Sequence, residues 1–264
     1  MKVAAVQLST TLDPSENRRL VADRIGAAAG AGAALVVFPE GTQCAPGPPT
    51  FDIAAAAEDL DGPFVGALAA ATAAHGVTVV AGMFERSGGD RAFNTVVAVD
   101  PHGLVGAYRK VHLFDALGAE ESLRVMPGDP AALVTFDVGD LVAGVMTCYD
   151  LRFPEMARAL VDAGAGLLVL PAHWYGGPGK AEVWEVLVRA RAIESTAYVV
   201  AADKPEPECV GRSMVLDPMG ELLAALPGAG EGIAVAEVSE GRLREVRAAL
   251  PVLEHRRFAV APAR

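Results

Sequence analysis

Apolar runs of strand length recur along the chain, separated by stretches long enough for helices. Val3 to Leu8 predicts a first strand, and Asp13-Pro14-Ser15-Glu16 a helix start, with proline early in the first turn where its missing N–H is not needed. That helix extends to about Gly30 and leads into a short buried strand, Leu35-Val36-Val37-Phe38. Residues 62–76 read as a second helix closed by Gly76, and Val77 to Phe84 as a third strand. A hairpin follows, from Asn94 to Val99, through Asp100-Pro101-His102-Gly103, and back along Leu104 to Tyr108. Proline second and glycine fourth in that turn suit type I geometry. The same pattern returns at Ser213 to Leu216, Asp217-Pro218-Met219-Gly220 and Glu221 to Leu226. Between the hairpins lie a strand (141–147), a helix (153–164), a strand (166–170), a helix (180–197) and a strand from Tyr198 to Ala202. Each half mixes helix-connected strands with one antiparallel hairpin. That pattern implies an α/β fold of two packed sheets with helices outside. No stretch has linker composition, so one domain over residues 1–264 is expected.

Composition removes several function classes. The net charge of −11, from 22 basic and 33 acidic residues, weighs against nucleic acid as a partner, because a phosphate-binding surface needs concentrated Lys and Arg. No run reaches the roughly 18 apolar residues of a membrane-spanning helix, and Met1 to Gln7 is too short for a secretory leader. Three cysteines, Cys44, Cys148 and Cys209, lack CxxC spacing, and the five histidines form no HExxH pattern. Neither a disulfide framework nor a metal site is expected. A reducing cytoplasm is the natural compartment for these thiols.

Three segments place a reactive residue type just past a strand end, where α/β sheets carry their sites. Cys148 follows the apolar run Leu141 to Met146 and precedes a helix. It reads as a small buried hydrophobe, or as a nucleophile whose thiolate is favoured by the positive end of that helix. Glu40 closes Val36-Val37-Phe38-Pro39-Glu40. It reads as a cap or solvated charge, or as a general base whose pKa is raised by an apolar setting. Arg109 and Lys110 close the first hairpin, and strand alternation sends one of them inward. An inward Lys110 requires a carboxylate partner or an anionic intermediate, whereas the alternative is an ordinary edge-strand lysine. No histidine sits in a His-x-Glu arrangement, so glutamate and lysine are the groups available to activate the thiol.

Taken in order, VVFPE, YRKVHLFD and TCYDLRFPE resemble the three signature segments of the nitrilase superfamily of carbon–nitrogen hydrolases. The tract from Trp184 to Glu194 extends the resemblance, which covers essentially the whole chain. It implies a four-layer α-β-β-α sandwich and a triad of Glu40 as general base, Lys110 as the charge stabilising the tetrahedral intermediate, and Cys148 as nucleophile. Glu121 best matches a second family glutamate, with Glu120 the alternative. The backbone N–H of Tyr149 would be an oxyanion donor. The implied reaction is two-step acyl transfer from an amide through a thioester, needing no metal or organic cofactor. A small-molecule amide is the expected partner, together with pairing into a homodimer or higher even homo-oligomer. Tyr149-Asp150 resembles the amidase-type branches, where true nitrilases carry Trp-Glu, and the chain is similar to the ω-amidase and deaminated-glutathione amidase group. It departs from that group over Pro171 to Lys180, which makes His173, Trp174 and Tyr175 either pocket residues or packing residues. An N-carbamoyl amidohydrolase, a nitrilase, a glutaminase feeding ammonia to a partner and a catalytically silent module remain the competing readings. Asp150 and Arg152 are expected to hold the cysteine turn, and His112 to hydrogen-bond behind it. Arg189, Arg191 and Glu194 are expected to serve structure or a subunit interface. Cys44 is expected to be inert, or oxidisable if it opens on the pocket mouth.

Overall fold

Strands that are apolar on both faces need cover on both sides, and the chain meets this by stacking two sheets between helices. The computed structural model describes residues 1–261, so the last three residues of the 1–264 span lie outside the described residues. The first half comprises β1 (Lys2–Gln7), α1 (Pro14–Gly30), β2 (Ala33–Val37), α2 (Ile53–Ala56), α3 (Pro63–His75), β3 (Thr78–Arg86), β4 (Ala92–Asp100), β5 (Gly103–Arg109) and β6 (Val125–Met126). The second half comprises β7 (Thr135–Val138), β8 (Leu141–Val145), α4 (Pro154–Asp162), β9 (Leu167–Pro171), α5 (Lys180–Ser195), β10 (Tyr198–Ala202), β11 (Met214–Leu216) and β12 (Leu222–Ala225). β13 (Gly232–Glu237) and α6 (Glu240–Ala249) follow.

The first sheet has the order β13-β1-β2-β3-β4-β5, with β6 beside β4, and the second the order β12-β11-β10-β9-β8-β7. β1, β2 and β3 are parallel, as are β8, β9 and β10, and antiparallel strands flank each trio. Strand alternation decides what each residue covers. Val3, Ala5, Leu35 and Val37 join Val169 and Val200 of the second sheet in one core. Ala4, Val6 and Val36 face the other way and pack with Val21 and Ile25 of α1 and Phe64 and Leu68 of α3. On the far side, Leu160 of α4 and Trp184 and Val188 of α5 cover the second sheet. The layers are helix, sheet, sheet, helix, as the resemblance implied.

β7, β13 and α6 were not among the expected elements. β13 pairs antiparallel with β1 from Lys2↔Glu237 to Gln7↔Gly232, so a late strand completes a sheet begun at the chain's start. The strand expected over 141–147 stops at Val145, leaving Thr147 and Cys148 already in the turn. Among the described residues, no helix is long and apolar enough to cross a membrane. The C-terminal ends of β2, β8 and β9 lie together, and there the candidate groups converge.

Candidate active site

Glu40 leaves β2 through Phe38-Pro39. The Phe38 N–H donates to Val80 O and the Glu40 N–H to Ala172 O, at 2.8 and 3.1 Å, which ties the turn to strands of both sheets. The turn lies directly on β3 at Gly82, where a Cβ would stand 2.6 Å from Gly41 N and 2.8 Å from Glu40 Cα. Only glycine fits there. Lys110 follows β5 and points inward, 2% exposed, while Arg109 points outward to Glu85. Its backbone is crossed closely by Gly128, whose N–H donates to Lys110 O at 2.8 Å.

The Lys110 ammonium donates to Glu40 Oε1 (2.9 Å) and to Glu121 Oε1 and Oε2 (3.1 and 2.9 Å), so Glu121, not Glu120, completes the cluster. Asn94, on β4, donates its Nδ2 to Glu40 Oε1 at 2.6 Å and to Glu121 Oε1 at 3.1 Å. These two carboxylates fix the Asn94 amide orientation and leave its buried Oδ1 without a partner. The other Glu40 oxygen, Oε2, accepts the backbone N–H of His173 at 3.0 Å. Asn94 and this backbone donor were not anticipated. An asparagine inside an otherwise apolar strand was the available signal for the first, since the amide needs partners when buried.

Burial alone would raise the Glu40 carboxyl, but the Lys110 ammonium and the neighbouring Cys148 thiol outweigh it and hold the group down at about 2. The expected upward shift is therefore reversed, because the paired cation acts at contact distance. Burial likewise disfavours the Lys110 ammonium, and the Glu121 and Glu40 carboxylates override it, pushing the group well above the usual lysine range.

Cys148 opens a 3-10 turn, Cys148–Arg152, with φ +47°, a left-handed conformation that a non-glycine residue holds only when its surroundings impose it. The surroundings here centre on Asp150, which is fully buried. Its carboxylate accepts the Thr147 N–H (2.9 Å), the Tyr108 hydroxyl (2.7 Å) and a hydrogen bond from His112 Nδ1 (2.7 Å). The His112 ring stacks on Phe153 at 3.7 Å. Thr147 Oγ1 donates to Pro171 O at 2.8 Å, anchoring the turn to β9. Asp150 and His112 thus sit where expected, but Arg152 does not: its guanidinium lies 5.0 Å over the Trp174 ring and lines the cavity. The pull toward thiolate expected from the helix end is outweighed. Burial first, and then the Glu40 charge, push the Cys148 thiol well above its ordinary range, with Lys110 opposing. Both directions favour a neutral thiol beside a carboxylate.

A cavity of about 490 Å³ opens above these groups. Tyr149, His173, Trp174 and Tyr175 all line it, with Phe84 and Phe114 as further aromatic wall. Trp174 also packs against Trp184, so it is both pocket and core. Arg124, Arg152 and Lys180 line the same cavity, and among the described residues none of the three has a carboxylate within ion-pair distance. Arg191 is buried and donates to Leu151 O, bracing the turn from α5. Cys44 does not open on the cavity. It is fully buried against Leu12 and Ala45 carbonyls, and burial pushes its thiol up to about 11. Among the described residues, no three His, Cys, Asp or Glu side chains converge to hold a metal ion.

The carbon–nitrogen hydrolase family profile matches residues 2–248. A deaminated glutathione amidase of Escherichia coli is 38% identical over 261 residues, covering 98% of this chain and 98% of its own. A Mycobacterium tuberculosis protein named as a hydrolase is 36% identical over 272 residues, covering 97% and 95%. Among solved structures, a Saccharomyces cerevisiae member of branch 10 of the nitrilase superfamily superposes with a TM-score of 0.84 at 28% identity, covering 98% of this chain and 97% of that one.

Proposed function

The chain belongs to the carbon–nitrogen hydrolase family and is of the amidase type, and from that premise we propose that it hydrolyses a small carboxamide carrying a remote anionic group, through a thioester on Cys148. The observation that carries this reading is the contact of Glu40, Lys110 and Glu121 beside Cys148 at the bottom of one cavity.

Glu40 is the base. Its carboxylate takes the thiol proton as Sγ attacks the amide carbonyl carbon. Proton transfer and attack are coupled, because the thiol holds its proton tightly and the carboxylate accepts one weakly at rest. The oxyanion forms against the Lys110 ammonium and the Tyr149 N–H, each such donor contributing about 3 kcal/mol in the transition state. Glu40 returns the proton to the amide nitrogen, the C–N bond breaks and ammonia leaves. A water then attacks the thioester, giving its proton to Glu40, and the acid is released as the thiol is restored. Glu121 and Asn94 hold Lys110 and Glu40 in place while charge moves between them.

The cavity volume lies within the roughly 300–1,000 Å³ of sites that enclose a whole small molecule, more than an unsubstituted short amide fills. Arg124, Arg152 and Lys180 are the groups that recognise the anionic end, and Lys180 lies in the stretch where the chain departs from the deaminated-glutathione amidase group. The test is ammonia release from ω-amides with and without a distal carboxylate, N-carbamoyl compounds and a nitrile. Carboxylated ω-amides should have the highest kcat/KM. Turnover of the nitrile with none of the amides would overturn the reading.

A further inference from the structure

Glu40 and Cys148 belong to different sheets, so their alignment depends on what ties the sheets together at this end of the molecule. Two ionisable residues that the catalytic scheme does not use, Asp203 and Lys204, lie just past β10 of the second sheet and are 0% and 1% exposed. The Lys204 ammonium reaches across to the first sheet's loops. It donates to Thr10 Oγ1 at 2.6 Å and to Gly41 O at 3.4 Å, and Thr10 Oγ1 donates to the same Gly41 O at 3.1 Å. Gly41 is the residue after Glu40.

Asp203 grips the other wall. Its Oδ1 accepts the Trp174 N–H at 2.8 Å, and Trp174 follows the residue whose N–H holds Glu40 Oε2 and whose carbonyl lies 3.6 Å from the Cys148 sulfur. Ser213 secures Asp203 in turn, accepting its N–H at 3.0 Å and donating to its carbonyl at 3.2 Å. Two neighbouring residues therefore hold the loop of Glu40 and the segment that touches both Glu40 and Cys148.

We propose that Asp203 and Lys204 are positioning residues that keep the Glu40 carboxylate in register with the Cys148 sulfur across the boundary between the two sheets. This rests on Glu40 acting as the base. The titratable groups facing the pair include Glu40, Cys44, His173, Glu208 and Cys209. Burial raises Asp203 well above the carboxylate range, with the Trp174 and Lys204 N–H groups opposing. Among the described residues its Oδ2 has no hydrogen-bond partner. What Asp203 contributes is therefore an acceptor oxygen in a fixed place, which an amide can supply.

The test compares variants of the full-length protein on its best amide substrate. Lys204→Met and Asp203→Ala should each lower kcat by about 10- to 100-fold, the scale on which ångström misplacement of a reacting group acts. For Lys204→Met, whose contacts reach only Thr10 and Gly41, KM should stay within about twofold of wild type. Asp203→Asn, which keeps the acceptor, should restore kcat to near the wild-type value. Wild-type kcat in Lys204→Met, or a loss confined to KM, would overturn the inference, as would failure of Asp203→Asn to rescue. Should Lys204→Met not fold, Thr10→Val decides: a several-fold fall in kcat supports the tie, and an unchanged kcat sinks it. Glu40→Gln is run alongside. If Glu40→Gln turns over normally, the base reading itself fails; if it is dead while Lys204→Met and Asp203→Ala stay active, only the positioning role fails.

Discussion

Replacing Gly82 by alanine tests how tightly Glu40, the proposed base, is placed. A Cβ at this position would sit 2.6 Å from Gly41 N and 2.8 Å from Glu40 Cα, short of the 3.4 Å at which ordinary contact begins by about 0.6–0.8 Å. Both neighbours are backbone atoms, so no side-chain rotation relieves the overlap. β3 is held between β2 and β4, and the loop beginning at Pro39 is the part free to move. The loop must therefore lift away from the sheet and carry Glu40 from Lys110, Asn94 and the His173 N–H. Overpacking of this kind costs about 1–3 kcal/mol of stability, and a displacement approaching 1 Å at a reacting group costs about 100-fold in rate. We expect Gly82→Ala to lower kcat by about 10- to 100-fold and to lower the melting temperature by several degrees. The control is Gly66→Ala on the exposed face of α3, where nothing lies within 4 Å of the added carbon. It should keep full activity and gain about 0.4–1 kcal/mol from reduced freedom of the unfolded chain. Steady-state kinetics with thermal unfolding on the three proteins suffices. A Gly82→Ala enzyme with wild-type kcat would refute the argument that the base is held by direct contact with β3.

Three further outcomes follow from the charges. Glu121→Gln should lower kcat about 10- to 1,000-fold with little change in KM, because Lys110 loses one of its two carboxylates and its position over the developing oxyanion; loss confined to KM would contradict this. Alkylation of Cys148 by iodoacetamide should be slow at neutral pH and still be rising above pH 9, since burial raises the folded thiol well above its ordinary value of 9.0; a plateau below pH 8 would show a resting thiolate. Glu40 is lowered from 4.5 to about 2, so its carboxylate adds stability that is present above pH 4.5 and is lost as pH falls toward 2. Glu40→Gln should therefore flatten the acid limb of a urea-stability profile over that interval, and an unchanged slope would contradict the pairing.

The parts of this molecule that could be read from sequence are those written in consecutive residues. Cys148, Glu40 and Lys110 each follow an apolar run, and strand alternation sends one of Arg109 and Lys110 inward without saying which. Gly82, Asn94 and Gly128 left weaker marks, because each acts on a segment far away in the chain and is an ordinary residue in its own. The direction of the Glu40 shift was misread for the same reason: an apolar neighbourhood is visible locally, whereas the Lys110 ammonium is 70 residues away and 2.9 Å distant. β13 escaped because Gly232, Ala234, Ala236 and Glu237 dilute the strand preference of Ile233 and Val235, and pairing with β1 at the opposite end of the chain gives the segment its structure. Arg152 was assigned to the turn because it sits in it, yet its side chain leaves the turn for the Trp174 ring and the cavity.

The central claim is that Cys148 carries the acyl group. Acid quenching during turnover of the best amide, followed by intact-protein mass measurement, tests it directly. A mass gain equal to the acyl portion of the substrate, mapped to the peptide containing Cys148 and absent from Cys148→Ala, is the expected result. Full amide hydrolysis by Cys148→Ala, with no covalent species in the wild-type protein, would contradict it.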